Sequence, residues 1–211
     1  MPLSKYRIVI KNQSGRPQDY SLFSSSQGLN IDAQIFTTVL SSNASYPASQ
    51  AEFDIDARYY AVVGISRGTP GPGIKTQINS HDVTLGSTCA NGNQIPGTTL
   101  NFAVSSNGAP SFSHDPSPND AQLGAFEILT PTSYTQDDAI AVKAARAWVP
   151  LPNMKYVIWP QRVFYLSPGK YTVGDIVDAG QTKSVIIDFA RYPRGVATVV
   201  HDSQGRLVIQ K

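Results

Sequence analysis

Charge is scarce in this sequence. Of its 211 residues only 15% are Asp, Glu, Lys or Arg, and seventeen basic residues against fifteen acidic leave a net charge of +2. Soluble proteins carry about 25% charged residues. A balance this small argues against a dedicated nucleic-acid surface, which would show as a basic stripe. It argues equally against a disordered chain, because disorder needs low hydrophobicity with high net charge, and 41% of these residues are hydrophobic. Cysteine is nearly missing. Cys89 stands alone, so no internal disulfide can form. Long apolar runs are missing too. No stretch approaches the roughly 18 apolar residues of a membrane-spanning helix. The opening Met1-Pro2-Leu3-Ser4-Lys5-Tyr6 contains no apolar segment of signal-peptide length. A cytoplasmic location is the expectation, although a leader cleaved earlier would leave no trace here. Strong helix formers are also thin, with little Lys, Glu or Leu.

What the sequence does hold is turn and strand chemistry. Sixteen glycines and fifteen prolines imply many turns and few long helices. Ten tyrosines and eight phenylalanines favour pleated, half-buried surfaces. Tyr6, Ile8 and Ile10 alternate with Arg7, Val9 and Lys11, which predicts a strand with one drier face. The turn cluster Asn12 to Pro17 followed by Tyr20 to Phe23 predicts that a hairpin opens the fold. Further strands are expected over 34–41, 51–55, 58–66, 74–78, 82–85, 98–105 and 125–129. The stretch 106–123, with Pro110, Pro116 and Pro118, is the most loop-like part. Beyond it, Thr135 as a cap with Asp138 three residues on predicts a helix over 139–148, and a strand from Ala141 to Val149 is the alternative. Strand signals return at 156–159, 162–166, 171–173 and 184–189. The chain closes on a hairpin, 195–200 with 206–210, around Asp202-Ser203-Gln204-Gly205. The sum is one domain over 1–211: an all-β, antiparallel β-sandwich of jelly-roll type with one short helix.

Few residues suggest chemistry. Each of the three histidines precedes an aspartate: His81-Asp82, His114-Asp115 and His201-Asp202. Such pairs are weak candidates for acid–base catalysis. No two histidines share a chelating spacing and no His-x-His occurs, so neither a metal nor another cofactor is expected. Asp is also simply a turn residue, which is the plainer reading of these pairs. Cys89 with His81 lacks a nucleophile motif, and a lone cysteine is more often a small buried hydrophobe. Glu52, Asp54 and Asp56 share one strand face, where calcium or paired-carboxylate chemistry competes with a plain solvated face. The glycine-rich 67–73 lacks the Gly-Lys-Ser/Thr of a phosphate loop, and no helix follows it.

Aromatics are the most suggestive group. Trp148, Tyr156, Trp159, Phe164 and Tyr165 fall close together, with Pro150, Pro152 and Pro160 between them. Exposed rings stack on sugars, whereas buried rings build a core. Trp148, Tyr156, Trp159 and Tyr165 are the ligand-binding candidates.

The opening Ile8 to Gly15 with Pro17 to Phe23, the segment Gly124 to Ile128, and the ending His201 to Val208 resemble a family of small fungal all-β proteins of unassigned function. The resemblance implies a β fold and a fungal source, and carries no catalytic residue. The leading expectation is a non-catalytic binding protein that presents loops and aromatics to a glycan or small ligand, in the manner of a lectin. A cofactor-independent isomerase, cyclase or hydrolase using one of the His/Asp pairs is the alternative. A membrane-active β-protein comes third. Association into a homo-oligomer through an exposed strand edge is compatible with each.

Overall fold

A computed structural model describes residues 5–24, 36–56, 58–66, 76–104, 110–113, 119–133, 138–142, 146–148, 150–160, 162–177 and 183–210. The chain is all-β. Its contacts divide it into two compact units. The first comprises Met1–Ser25, Thr37–Ala57 and Arg162–Lys211; the second comprises Ser26–Phe36 and Arg58–Gln161.

Strands β1 (Lys5–Asn12), β2 (Gln18–Ser24), β3 (Phe36–Ser45) and β4 (Gln50–Asp56) come first. The second unit then contributes β5 (Tyr59–Ser66), β6 (Thr76–Val83), β7 (Ser87–Thr88), β8 (Gln94–Ile95) and β9 (Thr99–Val104). It continues with β10 (Pro110–Ser113), β11 (Phe126–Leu129), β12 (Asp138–Val142), β13 (Arg146–Trp148) and β14 (Lys155–Ile158). The first unit resumes with β15 (Val163–Pro168), β16 (Ile176–Val177), β17 (Val185–Asp188), a 3-10 turn at Phe189–Arg191, β18 (Val196–His201) and β19 (Leu207–Gln210).

The first unit has two layers. One runs β19-β18-β1-β4 and the other β17-β15-β2-β3, with β16 also paired to β3. Alternation builds the core between them. Tyr6, Ile8 and Ile10 of β1 point inward, as do Ala51 and Phe53 of β4, Ala197 and Val199 of β18, and Tyr20 and Leu22 of β2. Burying the Ile, Leu, Val and Phe side chains among these stabilises by about 1.5–3 kcal/mol each. The expected opening hairpin does not form, because β1 and β2 lie in different layers. Asn12 explains the corner. Its buried side chain donates to the carbonyls of Arg16 (3.0 Å), Ser45 (3.0 Å) and Tyr46 (3.2 Å), and its Oδ1 accepts from Ser14. These bonds turn the chain out of one sheet and towards the other.

The second unit is also layered. One layer runs β10-β9-β11-β14 and the other β13-β12-β5-β6. Leu100, Phe102, Phe112, Phe126, Ile128 and Ile158 meet Ala61, Val63, Val83 and Trp148 in its core. Most pairings are antiparallel. Within this largely antiparallel arrangement β1 with β18, and β9 with β11, run parallel.

Three further expectations need correction. The helix over 139–148 is absent. Its described residues form β12 and β13, with Ile140 opposite Trp148 and Val63. A ten-residue helix is marginal by itself, whereas β5 supplies a complete row of hydrogen-bond partners. The strand signals at 74–78 and 82–85 are joined, over their described parts 76–78 and 82–83, in one strand, β6, in which Asn79 pairs with Val63 and Ser80 with Val62. Residues 171–173 form no strand; the chain turns there, with Asp175 N–H donating to the Thr172 carbonyl at 3.0 Å. The closing hairpin forms as expected, His201 facing Leu207 across it.

Candidate functional site

The structure separates the sequence candidates. Trp148 has no exposed surface, and Tyr156 is nearly as buried. Their rings meet edge-on at 5.6 Å, and the Tyr156 hydroxyl accepts from the Leu151 N–H at 2.6 Å. Both are core residues, which corrects their assignment as ligand aromatics. Tyr165 lies half-buried on β15, opposite Phe23 and Ile186. Trp159 is half-buried just past the end of β14.

The His/Asp pairs are mostly structural. His201 is 2% exposed, and its Nδ1 lies 3.0 Å from the Tyr20 hydroxyl. Burial lowers the His201 pKa below the ordinary histidine value and pushes Tyr20 up to about 12. The two rings share one buried hydrogen bond, whose direction follows the imidazole tautomer. Asp202 faces the hairpin instead: its carboxylate accepts from the N–H groups of Gln204 and Arg206 and from Arg206 Nε, each at 2.9 Å. Those bonds hold its pKa below the ordinary aspartate value, the Arg206 N–H contributing most. His81 packs edge-on against Phe112 at 5.8 Å and Asp82 is exposed. His114 and Asp115 lie outside the described residues, as does the loop 67–73. The acidic face of β4 is answered by Arg7, whose guanidinium meets Asp54 at 2.7 Å and Glu52 at 3.4 Å. No group of three metal-ligating side chains occurs among the described residues. Cys89 closes a turn through its backbone, its N–H on the Asn93 carbonyl at 2.8 Å.

Sequence reasoning missed one polar cluster. Phe126 and Ile128 of β11 enter the core, so Glu127 between them points to the opposite face of its sheet. There its side chain is only 1% exposed. The Lys155 ammonium of β14, 47% exposed, sits 2.9 Å from Glu127 and 3.5 Å from Asp120. Contact with Glu127 raises the Lys155 pKa above the ordinary lysine value; partial burial opposes this and Asp120 adds to it. Neither Glu127 oxygen receives a well-aligned hydrogen bond. Buried carboxylates without full satisfaction are uncommon and concentrate at functional sites.

The surroundings hold this cluster in place. Glu127 pairs with Val157 on one side and Thr99 on the other. Lys155 and Val157 share one face of β14, and Trp159 follows just past its end. Thr99 grips the segment that carries Asp120: its N–H donates to Asn119 Oδ1 (3.2 Å) and its Oγ1 accepts from the Asp120 N–H (3.0 Å). Gly97 and Gly86 fasten the same segment by close backbone approach, Gly97 N–H to the Ala121 carbonyl and Gly86 N–H to the Ala125 carbonyl, both at 2.9 Å. A Cβ at Gly97 would collide with the Ala125 carbonyl, and one at Gly86 with that of Gln122. Trp159 rests against the same segment, its Cδ1 3.9 Å from where a Gly124 Cβ would stand.

Comparison with known proteins adds nothing to this geometry: no family model, no curated protein and no solved structure matches the chain. No helix among the described residues is long and apolar enough to cross a membrane. The signal for the cluster was present but faint, namely a lone Glu between core residues in Ala125-Phe126-Glu127-Ile128.

Proposed function

We propose that the protein is a non-catalytic, lectin-like binding protein, and that the face carrying Asp120, Glu127, Lys155 and Trp159 is its glycan-binding surface. The observation behind this reading is the exposed Asp120–Lys155 ion pair, anchored by the buried Glu127 carboxylate, with the half-buried Trp159 against the segment that follows Asp120. A sugar presents hydroxyl groups that donate to carboxylates and accept from an ammonium, and C–H faces that stack on an aromatic ring. Asp120, 77% exposed, supplies acceptors, Lys155 supplies donors and Trp159 supplies the platform, while the buried Glu127 fixes the Lys155 ammonium. A neutral polyol completes the hydrogen bonds of these groups without adding a charge to a site that already holds two anions and a cation.

The two tryptophans make the test direct. Trp148 is buried in the core and makes no hydrogen bond through Nε1. In a Trp148→Phe protein, Trp159 is the only indole, and its emission is titrated with a panel of neutral oligosaccharides. A saturable change with at least one member is expected. Asp120→Asn in this background, read by the same emission, and Trp159→Ala in the otherwise native chain, read by calorimetry, should each weaken binding about tenfold, the size of one lost stacking or charge-assisted contact. A flat titration across the panel would count against the proposal.

A further inference from the structure

The first unit holds a groove that the glycan reading does not use. It has a volume of about 660 Å³ and is lined by Arg191, Tyr192, Val196, Thr198, Ile209 and Gln210. That is the size of a small-molecule site. The segment beside it is firmly built. The 3-10 turn is capped by Asp188, whose Oδ1 accepts from the Ala190 N–H at 3.0 Å. Phe189 anchors the turn in the core against Tyr6 and Phe164, and Tyr192 stands edge-on to Phe189 at 5.9 Å. Gly195 N–H then closes onto the Tyr192 carbonyl at 2.8 Å, which delivers the chain into β18. On the other side, Thr198 pairs with Gln210 and Val199 with Ile209 in the last two strands of the sheet.

The lining has two characters. Tyr192, Val196 and Ile209 offer apolar surface, and Val196 is 46% exposed. Thr198 and Gln210 offer neutral hydrogen-bonding groups. Arg191 contributes the only formal charge among the six, and its side chain is 82% exposed. Its ion pair with Asp188 runs through Nε at 3.6 Å, a loose and solvent-screened contact. A second cation stands beside the groove, since Lys11 Nζ donates to Gln210 Oε1 at 3.2 Å. Apolar walls with cations near the rim are complementary to an amphipathic anion: an apolar body to cover Val196 and Ile209, and a head group for Arg191.

We propose that this groove binds a small amphipathic anion, a carboxylate or sulfonate joined to an aliphatic or aromatic body. The proposal is independent of the glycan site, which belongs to the other unit. The probe is 8-anilino-1-naphthalenesulfonate, titrated into the full-length protein at neutral pH and read by fluorescence, with dodecanoate and dodecanol as competitors. The expected result is saturation at one probe per chain, displacement by dodecanoate, and at least tenfold poorer displacement by dodecanol. Val196→Glu places a carboxylate in the groove and Arg191→Gln removes its cation. Each should weaken probe binding at least tenfold with an unchanged melting curve. Equal affinity in wild type and both variants would overturn the proposal. So would equal competition by the acid and the alcohol, or no saturable binding at all. If Val196→Glu lowers the melting temperature, Arg191→Gln decides, because that side chain lies almost wholly in solvent.

Discussion

At the scale of single residues, the two sequence signals that looked catalytic or ligand-bearing resolve by burial. His201 was visible in the sequence only as one of three His-Asp pairs. The structure makes it a buried hydrogen-bond partner of Tyr20 inside the first unit. That has a consequence for acid stability. Burial depresses the His201 pKa below its ordinary value of about 6.5. The Gly205 backbone and Asp202 favour the charged form and Arg16 opposes it, but burial is the largest cause. Between the depressed value and about 6.5, the unfolded chain holds a proton that the folded chain does not. Stability must therefore fall as pH drops through that window, by at most about 1.4 kcal/mol per pH unit. Melting curves from pH 7.5 to 5 should fall more steeply for wild type than for His201→Gln, whose amide oxygen can still accept from Tyr20. Parallel curves would mean that His201 binds its proton equally well in the folded and the unfolded chain. Asp202, also depressed, acts in a separate window below its ordinary aspartate value.

At the scale of elements, legibility followed the alternation. Strands β1, β4 and β9 could be read from the sequence because one face is core and the other polar, as Tyr6, Ile8 and Ile10 against Arg7 and Lys11. The segment 138–148 could not, because Ala has no strong β preference and the acids ahead of it mimic a helix start. Its pairing with β5 is a non-local contact, invisible in a local window. The Glu127 cluster was hidden for the same reason: Asp120, Glu127 and Lys155 are joined by strand register and by a loop held on two glycines, not by spacing. The glycines thus carry a prediction. Gly97→Ala forces the Ala125 carbonyl away, and with it the segment bearing Asp120. The variant should lose about 2–4 kcal/mol of stability, in the range of overpacking a tight site and breaking its backbone bonds, measurable by urea denaturation. Gly92→Ala provides the contrast. That glycine has open space around it but a φ of +85°, so its cost is confined to local strain of about 1–2 kcal/mol.

At the scale of the whole chain, the first unit is assembled from distant sequence. Its opening strand β1 is flanked by β4 on one side and by β18 on the other, so Ile8 meets Phe53 and Ala197 as register partners. Roughly the first and last quarters of the chain contribute to that sheet, and most of the second unit, Arg58–Gln161, is encoded between them. Non-local parallel pairing of this kind folds slowly, on the ms–s scale of β-rich topologies, and it cannot begin until the C-terminal residues exist. The C-terminal strands should therefore be indispensable in unequal degree. A chain ending at Gly195 loses β18, which strips β1 of its parallel partner and removes Ala197 and Val199 from the core. A chain ending at Asp202 loses only β19, an edge strand whose Leu207 and Ile209 are partly buried against that core. The first truncation should abolish the first unit's fold, seen as lost amide protection in β1 and β4 with β9 and β11 of the second unit still protected. The second should remain folded but melt lower, by the several kcal/mol that two partly buried aliphatic side chains and one strand ladder contribute. If the chain ending at Gly195 kept its protection in β1, the parallel pairing with β18 would not be what holds the first layer together.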